Sequence, residues 1–435
     1  MKITDMRTFA VAQFVYVKIE TDSGLYGLGE ASLSGRSLAV VEALQAIKPS
    51  LIGQDATRIE FIWQDIFRGT FWRGGPVLQS ALAGIDIALW DLAGKALGAP
   101  TYRLLGGAAR ERVLLYRHVR CDSIPNMIEH AHALIREGYS VLRISPLDAF
   151  APAGVFDAVR GLRGAVDYMA ALREAVGPET QIIFEAHTRL NPPQAVELCN
   201  GLAPYRPFYV EDPIRSENPA SFAHLRSHTN VALGTGEQLH DKWTFRTLIE
   251  EELVDYLRVD ICHTGGITEG RKIASMAEVH YQELACHYTA SPVSTAAMLH
   301  LNLSIPNCAV QEFAPSGGWM DDVIQTSHVL EKGYLHASDA PGLGIDIDEE
   351  AAAAHPPILP DEPPHWRRPD GSVNAFRFFG RAKGVLLAQE KLSLANQRRR
   401  ARISMSGSRC HPQSCDVPSE NPHSSSENSP DKKTG

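Results

Sequence analysis

The sequence predicts a (β/α)8-type barrel with an N-terminal α+β capping domain and a C-terminal extension. The chain has 435 residues, which is long for one compact core and favours a barrel with an accessory domain. Potential metal ligands and proton carriers also recur at steps of 26, 26, 23, 27 and 25 residues, the length of one strand and one helix. Each follows a short apolar, strand-like run: Glu185, Glu211, Glu237, Asp260, His287 and Glu312.

Residues 1–112 predict a separate capping domain of mixed helix and strand. Alternating apolar residues over 14–20, an Asp-Ser-Gly turn signal and a second run over 25–30 predict a β-hairpin. Apolar residues at helical spacing predict a helix over 77–98, which ends where glycine and proline follow.

Residues 113–314 alternate strand-like runs with amphipathic stretches that are long enough for crossover helices, such as 124–138 and 291–303. Eight such repeats predict closure into a barrel, and a doubly wound open sheet is the alternative. A barrel brings the C-terminal ends of all its strands to one mouth, so the recurring side chains should meet there. The predicted strands are 113–119, 140–145, 181–187, 208–213, 231–237, 256–262, 283–288 and 308–313.

The C-terminal part of the chain divides into two segments. Residues 315–379 are rich in proline and glycine and predict an extension that packs on the capping domain. Residues 380–435 predict a tail that is helical at first and disordered from about residue 398, where three arginines open a polar stretch. The basic run favours a solvated tail, and a nuclear or anionic-surface signal is the alternative.

Composition and charge narrow the classes of function. The formal net charge of −9 leaves no broad basic field, which argues against nucleic acid as a partner. Apolar runs fall short of the roughly 18–20 residues that span a bilayer, and the first residues lack the apolar core of a secretory signal. Seven scattered cysteines without a Cys-x-x-Cys pair indicate a reducing compartment. We therefore expect a cytoplasmic protein that binds a small molecule, not a membrane.

Three of the recurring carboxylates predict a metal site. Glu185, Glu211 and Glu237 end successive strands with no histidine or cysteine in the triplet, and such oxygen ligands suit a hard cation such as Mg²⁺. Like charges crowded together repel, so the cluster is costly without a cation. Salt bridges or helix caps are the alternative for any one of these residues.

The next two strand ends carry groups that can move a proton. Asp260 beside His287 can hold one ring nitrogen and raise the basicity of the other. His187 lies two residues beyond Glu185, so strand alternation predicts that it also faces the site, where it could act as an acid. Glu312 could approach a substrate oxygen opposite this dyad, with a structural role as the alternative.

Such a constellation points to chemistry next to a carboxylate. A cation that chelates the substrate carboxylate acidifies the α-proton, because it stabilises the enediolate that forms when a histidine removes that proton. If a β-hydroxyl is present and a second group protonates it, water leaves. Without a leaving group the same first step gives racemisation or epimerisation, which needs bases on both faces of the carbon.

Four stretches resemble one known family. They are Ala81 to Lys95, Leu104-Leu105-Gly106-Gly107, Val210-Glu211-Asp212-Pro213 and Gly265-Gly266-Ile267-Thr268-Glu269. With them, residues 1 to about 376 resemble the mandelate racemase subgroup of the enolase superfamily, and within it the galactonate- and mannonate-type dehydratases of sugar acids.

The resemblance implies roles for the residues already named. It implies Mg²⁺ on the three glutamates, the Asp260–His287 pair as base, His187 as acid, and Glu312 near the substrate carboxylate. It also implies capping loops near 24–36 and 67–76 over the barrel mouth, and a symmetric homo-oligomer. Further candidates for contact with substrate are Arg143, His240 and Trp72, each with a structural role as the alternative.

The chain departs from the family pattern at three places. The first metal ligand is usually Asp, and here it is Glu185. Ser145 in Arg143-Ile144-Ser145 is no base, which disfavours racemisation on two faces of a carbon. Residues 146–165 hold no tyrosine, which favours the His287 route over a mannonate-type one. The leading hypothesis is a Mg²⁺-dependent dehydratase of an aldonic acid; the alternatives are an epimerase or cycloisomerase, and a catalytically inactive barrel that binds or regulates.

Overall fold

The computed structural model describes residues 1–151, 154–288, 291–358 and 365–376. The predicted tail over 380–435 lies outside the described residues.

The capping domain is a three-stranded antiparallel sheet covered by helices. The predicted hairpin is its second and third strand, and a strand that the sequence did not predict pairs with the hairpin at its open edge. The elements are β1 Ile3–Val11, β2 Phe14–Thr21, β3 Tyr26–Glu30, α1 Ser37–Leu51, α2 Ile59–Arg68 and α3 Pro76–Leu97. Helix α3 packs closely on the sheet where Gly29 meets Gly84. A Cβ on Gly29 would lie 2.1 Å from the carbonyl oxygen of Gly84.

The second domain is the predicted closed barrel. Eight parallel strands pair in chain order, and the last returns to pair with the first, which excludes an open sheet. The apolar runs of the sequence are longer than these strands because several end in loops at the barrel mouth. The strands are β4 Val113–His118, β5 Val141–Ile144, β6 Gln181–Glu185, β7 Val210–Glu211, β8 Leu233–Thr235, β9 Tyr256–Leu257, β10 Glu283–Cys286 and β11 Cys308–Glu312.

Helices surround the barrel, and several of them begin at polar caps. Reciprocal hydrogen bonds cap two of them, between Asn191 and Gln194 and between Asp241 and Thr244. The described α-helices between residues 101 and 304 are α4 Thr101–Leu104, α5 Ile124–Arg136, α6 Ala158–Val176, α7 Pro192–Leu202, α8 Phe222–Arg226, α9 Lys242–Glu250, α10 Gly266–Val279 and α11 Pro292–Ser304.

Helix α3 joins the capping domain to the barrel. The buried carboxylate of Asp86 accepts hydrogen bonds from the backbone N–H of Thr268 at 3.0 Å and from its hydroxyl at 2.5 Å. Trp90 Nε1 donates to the same hydroxyl at 2.9 Å. Gly266 has φ 89°, and a Cβ there would lie 2.3 Å from the Asp86 carboxylate. By length and composition α3 could cross a membrane, but most of it is buried inside the protein.

The extension contacts both domains. It comprises α12 Trp319–Val323, β12 Ile324–Thr326, β13 Val329–Glu331, β14 Tyr334–His336, β15 Ile345–Ile347, α13 Glu349–Ala353, β16 His365–Arg367 and β17 Val373–Phe376. Asp91 of α3 accepts a hydrogen bond from the N–H of Leu343 at 2.7 Å, and Glu349 bonds Lys18 at 2.7 Å. These contacts hold the middle of the extension against the capping domain.

The prediction that all of 315–379 packs on the capping domain is wrong for two hairpins. Strand β14 pairs with β4 of the barrel. The β16–β17 hairpin lies against barrel loops, where Phe156 donates its N–H to the carbonyl of Arg367 at 2.8 Å. The two hairpins form hydrogen bonds with backbone groups of β4 and of the loop before α6. The sequence pattern does not show which backbone groups are open to such pairing.

Candidate active site

Four buried carboxylates meet at the barrel mouth. Glu185 and Glu211 end β6 and β7 and face each other in register, and Glu237 follows β8 by two residues. Asp212 joins them, and one oxygen from each of the four lies within 4.8 Å of the others. The sequence analysis missed Asp212, because alternation along a strand would turn the residue next to Glu211 to the opposite face of the sheet. The backbone of Asp212 is left-handed, with φ 41°, and this ends the alternation and brings its carboxylate to the same cluster.

The chemistry of this cluster fits a hard divalent cation. Oδ2 of Asp212 and Oε2 of Glu237 are buried and have no hydrogen-bond partner among the described residues. Burial and then the charge of Glu211 raise the pKa of Glu185 well above its ordinary value. Burial and then Glu237 do the same to the pKa of Asp212. Oxygens that repel one another and lack N–H donors are the ligands that Mg²⁺ takes.

Two arginines hold the cluster from the side. Arg143 of β5 contacts Oε2 of Glu185, and its Nε lies 3.3 Å from Glu211. Arg258, fully buried after β9, places Nε 2.7 Å from Glu211 and Nη2 2.7 Å from Glu312. Burial would raise the pKa of Glu211, but Arg258 and Arg143 lower it. The guanidinium of Arg143 is therefore paired with carboxylates of the cluster. The sequence analysis missed Arg258, although a charged residue inside an apolar run is a recognisable signal.

The predicted dyad is in contact. His287 follows β10 directly, and its Nδ1 lies 2.7 Å from Oδ2 of Asp260, so the carboxylate holds the Nδ1–H tautomer. The other nitrogen, Nε2, lies 3.6 Å from Glu237. Burial lowers the pKa of His287, but Glu237, Glu312 and Asp260 outweigh it and raise the pKa to about 9. His263 also approaches Asp260, at 3.5 Å.

His187 faces the cluster, but not by strand alternation. Strand β6 ends at Glu185, and His187 has φ 49°, so the loop and not the pleat directs its ring. Arg143 Nη2 lies 3.1 Å from its Nε2, and Ser145 Oγ lies 3.2 Å from its Nδ1. Arg143 can only donate, so the proton belongs on Nδ1. Burial and then Arg143 lower the pKa of His187 well below its ordinary value.

Glu312 closes the ring of side chains from β11. Its Oε1 accepts from His118 Nε2 at 2.6 Å, and its Oε2 accepts from Arg258. Burial would raise its pKa, but Arg258, His287 and His118 hold it well below the ordinary value. The sequence analysis assigns no role to His118, because one histidine at a strand end carries no pattern of its own.

A cavity of about 550 Å³ opens beside these groups. Its wall combines proton donors and acceptors with small side chains, a lining that suits a hydroxylated molecule rather than an apolar one. The described lining residues are His118, Val119, Cys121, Asp122, Arg143, Ser145, Ala149 and His187.

Two predicted substrate contacts, His240 and Trp72, have other partners in the structure, and their roles stay predictions. His240 Nε2 lies 3.8 Å from Asp241, and its carbonyl accepts from Gln79 of the capping domain. Trp72 is 81% exposed and meets the ring of Phe71 edge-on. Both lie in loops beyond regular elements, where sequence spacing does not determine the direction of a side chain.

Comparison with known proteins identifies the family. The model of the mandelate racemase / muconate lactonizing enzyme N-terminal domain matches residues 2–106, and the enolase C-terminal domain-like model matches 126–351. D-mannonate dehydratase of Caulobacter vibrioides is 39% identical over 383 residues, 82% of this chain and 95% of its own. A D-galactonate dehydratase family member of Streptomyces bingchenggensis is 40% identical over 385 residues, 83% of this chain and 93% of its own.

A solved structure agrees. The crystal structure of an enolase from Pantoea ananatis with bound D-gluconate and Mg has a TM-score of 0.81 at 34% identity, covering 86% of this chain and 99% of that one. These matches confirm the resemblance and the fold class that the sequence predicts. The chain therefore belongs to the mandelate racemase / muconate lactonizing enzyme family of the enolase superfamily, among relatives that are hydro-lyases.

Proposed function

We propose that the protein is a Mg²⁺-dependent dehydratase of an aldonic acid, which it converts to a 2-keto-3-deoxy acid. The observation that carries the proposal is the Asp260–His287 pair, at 2.7 Å, with its second nitrogen 3.6 Å from the acidic cluster. A base next to a cation site is what removal of an α-proton from a carboxylate requires.

The carboxylates would hold the cation. Glu185, Glu211 and Glu237 would bind Mg²⁺, and Asp212 offers a fourth carboxylate beside them. A bound cation there would stabilise the negative charge that grows on the substrate carboxylate as the proton leaves. Arg143 and Arg258 already offset part of the charge of the cluster, and they hold Glu211 in place.

The two histidines would take different roles. His287 would accept the α-proton on Nε2 when a cation bound to Glu237 offsets the charge that raises its pKa, and Asp260 would stabilise the imidazolium that forms. His187 would supply the proton with which the β-hydroxyl leaves as water, from the wall of the cavity, and its ring must be an imidazolium to do so. Burial and then Arg143 lower its pKa, so a bound substrate anion would have to offset the charge of Arg143 before that step. Contact of substrate with Arg143, His240 or Trp72 remains a prediction.

The test is a screen of sugar monoacids and diacids with Mg²⁺, assayed for 2-keto-3-deoxy products and for α-proton exchange in D2O. We expect His287→Asn to lose both signals and His187→Asn to lose the product while exchange persists. His224→Asn, on an exposed helix position away from the site, is the matched control.

Each alternative gives its own result. An epimerase or cycloisomerase would keep its activity in His187→Asn. A barrel without activity would show no heat of Mg²⁺ binding by calorimetry and no α-proton exchange with any sugar acid. Turnover by Glu185→Asp alone, with none by the unchanged chain, would assign the loss of activity to the longer first ligand.

A further inference from the structure

Asp260 of the dyad also faces a second histidine. His263, in the turn after β9, places its Nδ1 3.5 Å from Oδ2 of Asp260, and Nδ1 of His287 lies 2.7 Å from the same oxygen. The other oxygen, Oδ1, accepts the backbone N–H of Cys262 at 2.8 Å. Oδ2 is therefore turned to the two rings, and one ligand atom from each of the three side chains lies within 4.8 Å of the other two.

The far nitrogen of each ring lies near an oxygen. His263 Nε2 is 3.2 Å from the carbonyl oxygen of Ser32 in the capping domain, and because a carbonyl can only accept, the proton belongs on Nε2. His287 Nε2 lies 3.6 Å from Oε2 of Glu237. Histidines that bind a metal through one nitrogen usually direct the other N–H at a carbonyl or a carboxylate, which fixes the ring. Both rings have this arrangement.

Nδ1 of His263 then presents a lone pair to a carboxylate oxygen. A neutral ring with its proton on Nε2 has none to donate to Asp260, and 3.5 Å is longer than an ordinary N–H···O bond. Two acceptors that face each other are unfavourable until a cation lies between them. The carboxylate of Asp260 is fully buried, but the side chains of His263 and His287 are 13% and 15% exposed, which leaves an ion a way in.

We propose that Asp260, His263 and His287 bind a Zn²⁺ ion, at a site separate from the four carboxylates. Two imidazole nitrogens and one carboxylate oxygen form a ligand set that Zn²⁺ takes, with water in the fourth position. Mg²⁺ prefers oxygen ligands, so the two clusters select different ions. Binding releases a proton, because Nδ1 of His287 exchanges its proton for the ion.

An ion at this site removes the base. With Zn²⁺ on Nδ1 of His287, the remaining proton of the ring is on Nε2, the nitrogen that would accept the α-proton. Asp260, bound to the ion, no longer stabilises an imidazolium. Zinc therefore inhibits dehydration. This consequence rests on the proposed function, whereas the binding of zinc does not.

The experiment is calorimetry of Zn²⁺ on the full chain, stripped of metal with EDTA and dialysed into excess Mg²⁺. Magnesium competes for the carboxylates and leaves the imidazoles free. The test variant is His263→Asn, which removes one nitrogen ligand and keeps Asp260 and His287. The matched control is His280→Asn, because His280 also contacts a carboxylate, that of Glu252 at 3.2 Å, but precedes β10 and so lies at its other end from His287.

We expect the unchanged chain and His280→Asn to bind one Zn²⁺ tightly. His263→Asn should bind it roughly a hundredfold or more weakly, since loss of an outer hydrogen-bond partner alone costs up to about that much. Thermal unfolding without zinc verifies the fold of each variant. Absence of one-to-one binding by the unchanged chain overturns the proposal, and so does equal affinity of His263→Asn.

Turnover gives a second measurement. With a sugar acid that the chain dehydrates, Zn²⁺ should inhibit the unchanged chain at a concentration that leaves most of the rate of His263→Asn, each relative to its own rate without zinc. Equal inhibition of both would place the inhibitory ion on the four carboxylates and contradict inhibition through the dyad. A chain that dehydrates no sugar acid contradicts the proposed function alone, because the binding heats still decide the zinc site.

Discussion

Two regions of the molecule bury carboxylates, and they treat them in opposite ways. At the junction of the domains, Asp86 and Asp91 of α3 receive backbone and side-chain donors. At the barrel mouth, Asp212 and Glu237 each keep an oxygen with no donor among the described residues. Burial raises the pKa at Asp86, Asp91 and Asp212 alike, so burial does not separate the two regions.

The hydrogen-bond partners of the carboxylates distinguish the two regions. A buried acid with N–H and O–H donors holds elements together, whereas buried acids that face one another are costly until a cation binds. Substitutions in the two regions should therefore change different quantities. Those at the barrel mouth should change turnover, and those at the junction should change stability.

The largest effect is expected at Glu237. Glu237→Gln removes one of the charges that would hold the cation and stabilise the growing charge on substrate, so turnover should fall by roughly a thousandfold or more. The free energy of unfolding without metal should change little, because the lost repulsion of Asp212 and Glu185 offsets the lost attraction to His287. Turnover, calorimetric Mg²⁺ binding and denaturant unfolding measure this. Glu278→Gln, an exposed position on α10, is the control, and a Glu237→Gln enzyme of full activity would contradict the comparison.

The second effect is expected at Asp86. Asp86→Ala leaves the N–H and hydroxyl of Thr268 without their acceptor, which should cost about 3 kcal/mol in the free energy of unfolding. Turnover of the folded protein should stay the same, because the junction lies away from the acidic cluster. Asp167→Ala, an exposed helix position, is the control. Loss of turnover without loss of stability would break the distinction between the regions.

The third effect depends on pH. Burial raises the pKa of Asp86 to about 7, although Thr268 opposes it. Because the folded pKa lies above the unfolded one, folding keeps a proton that the unfolded chain releases, and stability falls as pH rises toward 7. Relative to Asp86→Asn, the protein should lose about 2 kcal/mol between pH 5 and pH 7.5. Urea unfolding of both at the two values measures it; a constant difference would mean that Asp86 is ionised throughout.

The smallest effect is expected at Glu349, where the extension meets the capping domain. Glu349 pairs with Lys18 and Arg7, but these groups are partly exposed to solvent. Glu349→Gln should lower the free energy of unfolding by about 0.5–1 kcal/mol, less so at high salt. Glu350→Gln, its exposed neighbour, should change nothing measurable. A loss of unfolding free energy as large as that of Asp86→Ala would show that this ion pair stabilises the protein more than its exposure to solvent implies.

Much of the fold followed from periodicity alone. The eight strand runs and the hairpin of the capping domain correspond to observed strands, because apolar spacing reports which faces are buried. Strand β1 was missed, and two hairpins of the extension lie on the barrel instead of the capping domain. Short edge pairings depend on which backbone groups are left open elsewhere, and no local pattern encodes that.

The site was predictable in its members but not in its geometry. Even spacing placed Glu185, Glu211 and Glu237 together, and the structure adds Asp212 and Arg258. Asp212 depends on a left-handed backbone, and Arg258 depends on ion pairs across the barrel interior.

The sequence by itself determined that six side chains able to bind a metal or carry a proton share one mouth, because one strand and one helix take up nearly constant lengths of chain. The tertiary structure alone decided which oxygens remain without donors and which arginines lie among them. Those outcomes depend on contacts between residues far apart in the chain, so they appear only when the barrel closes.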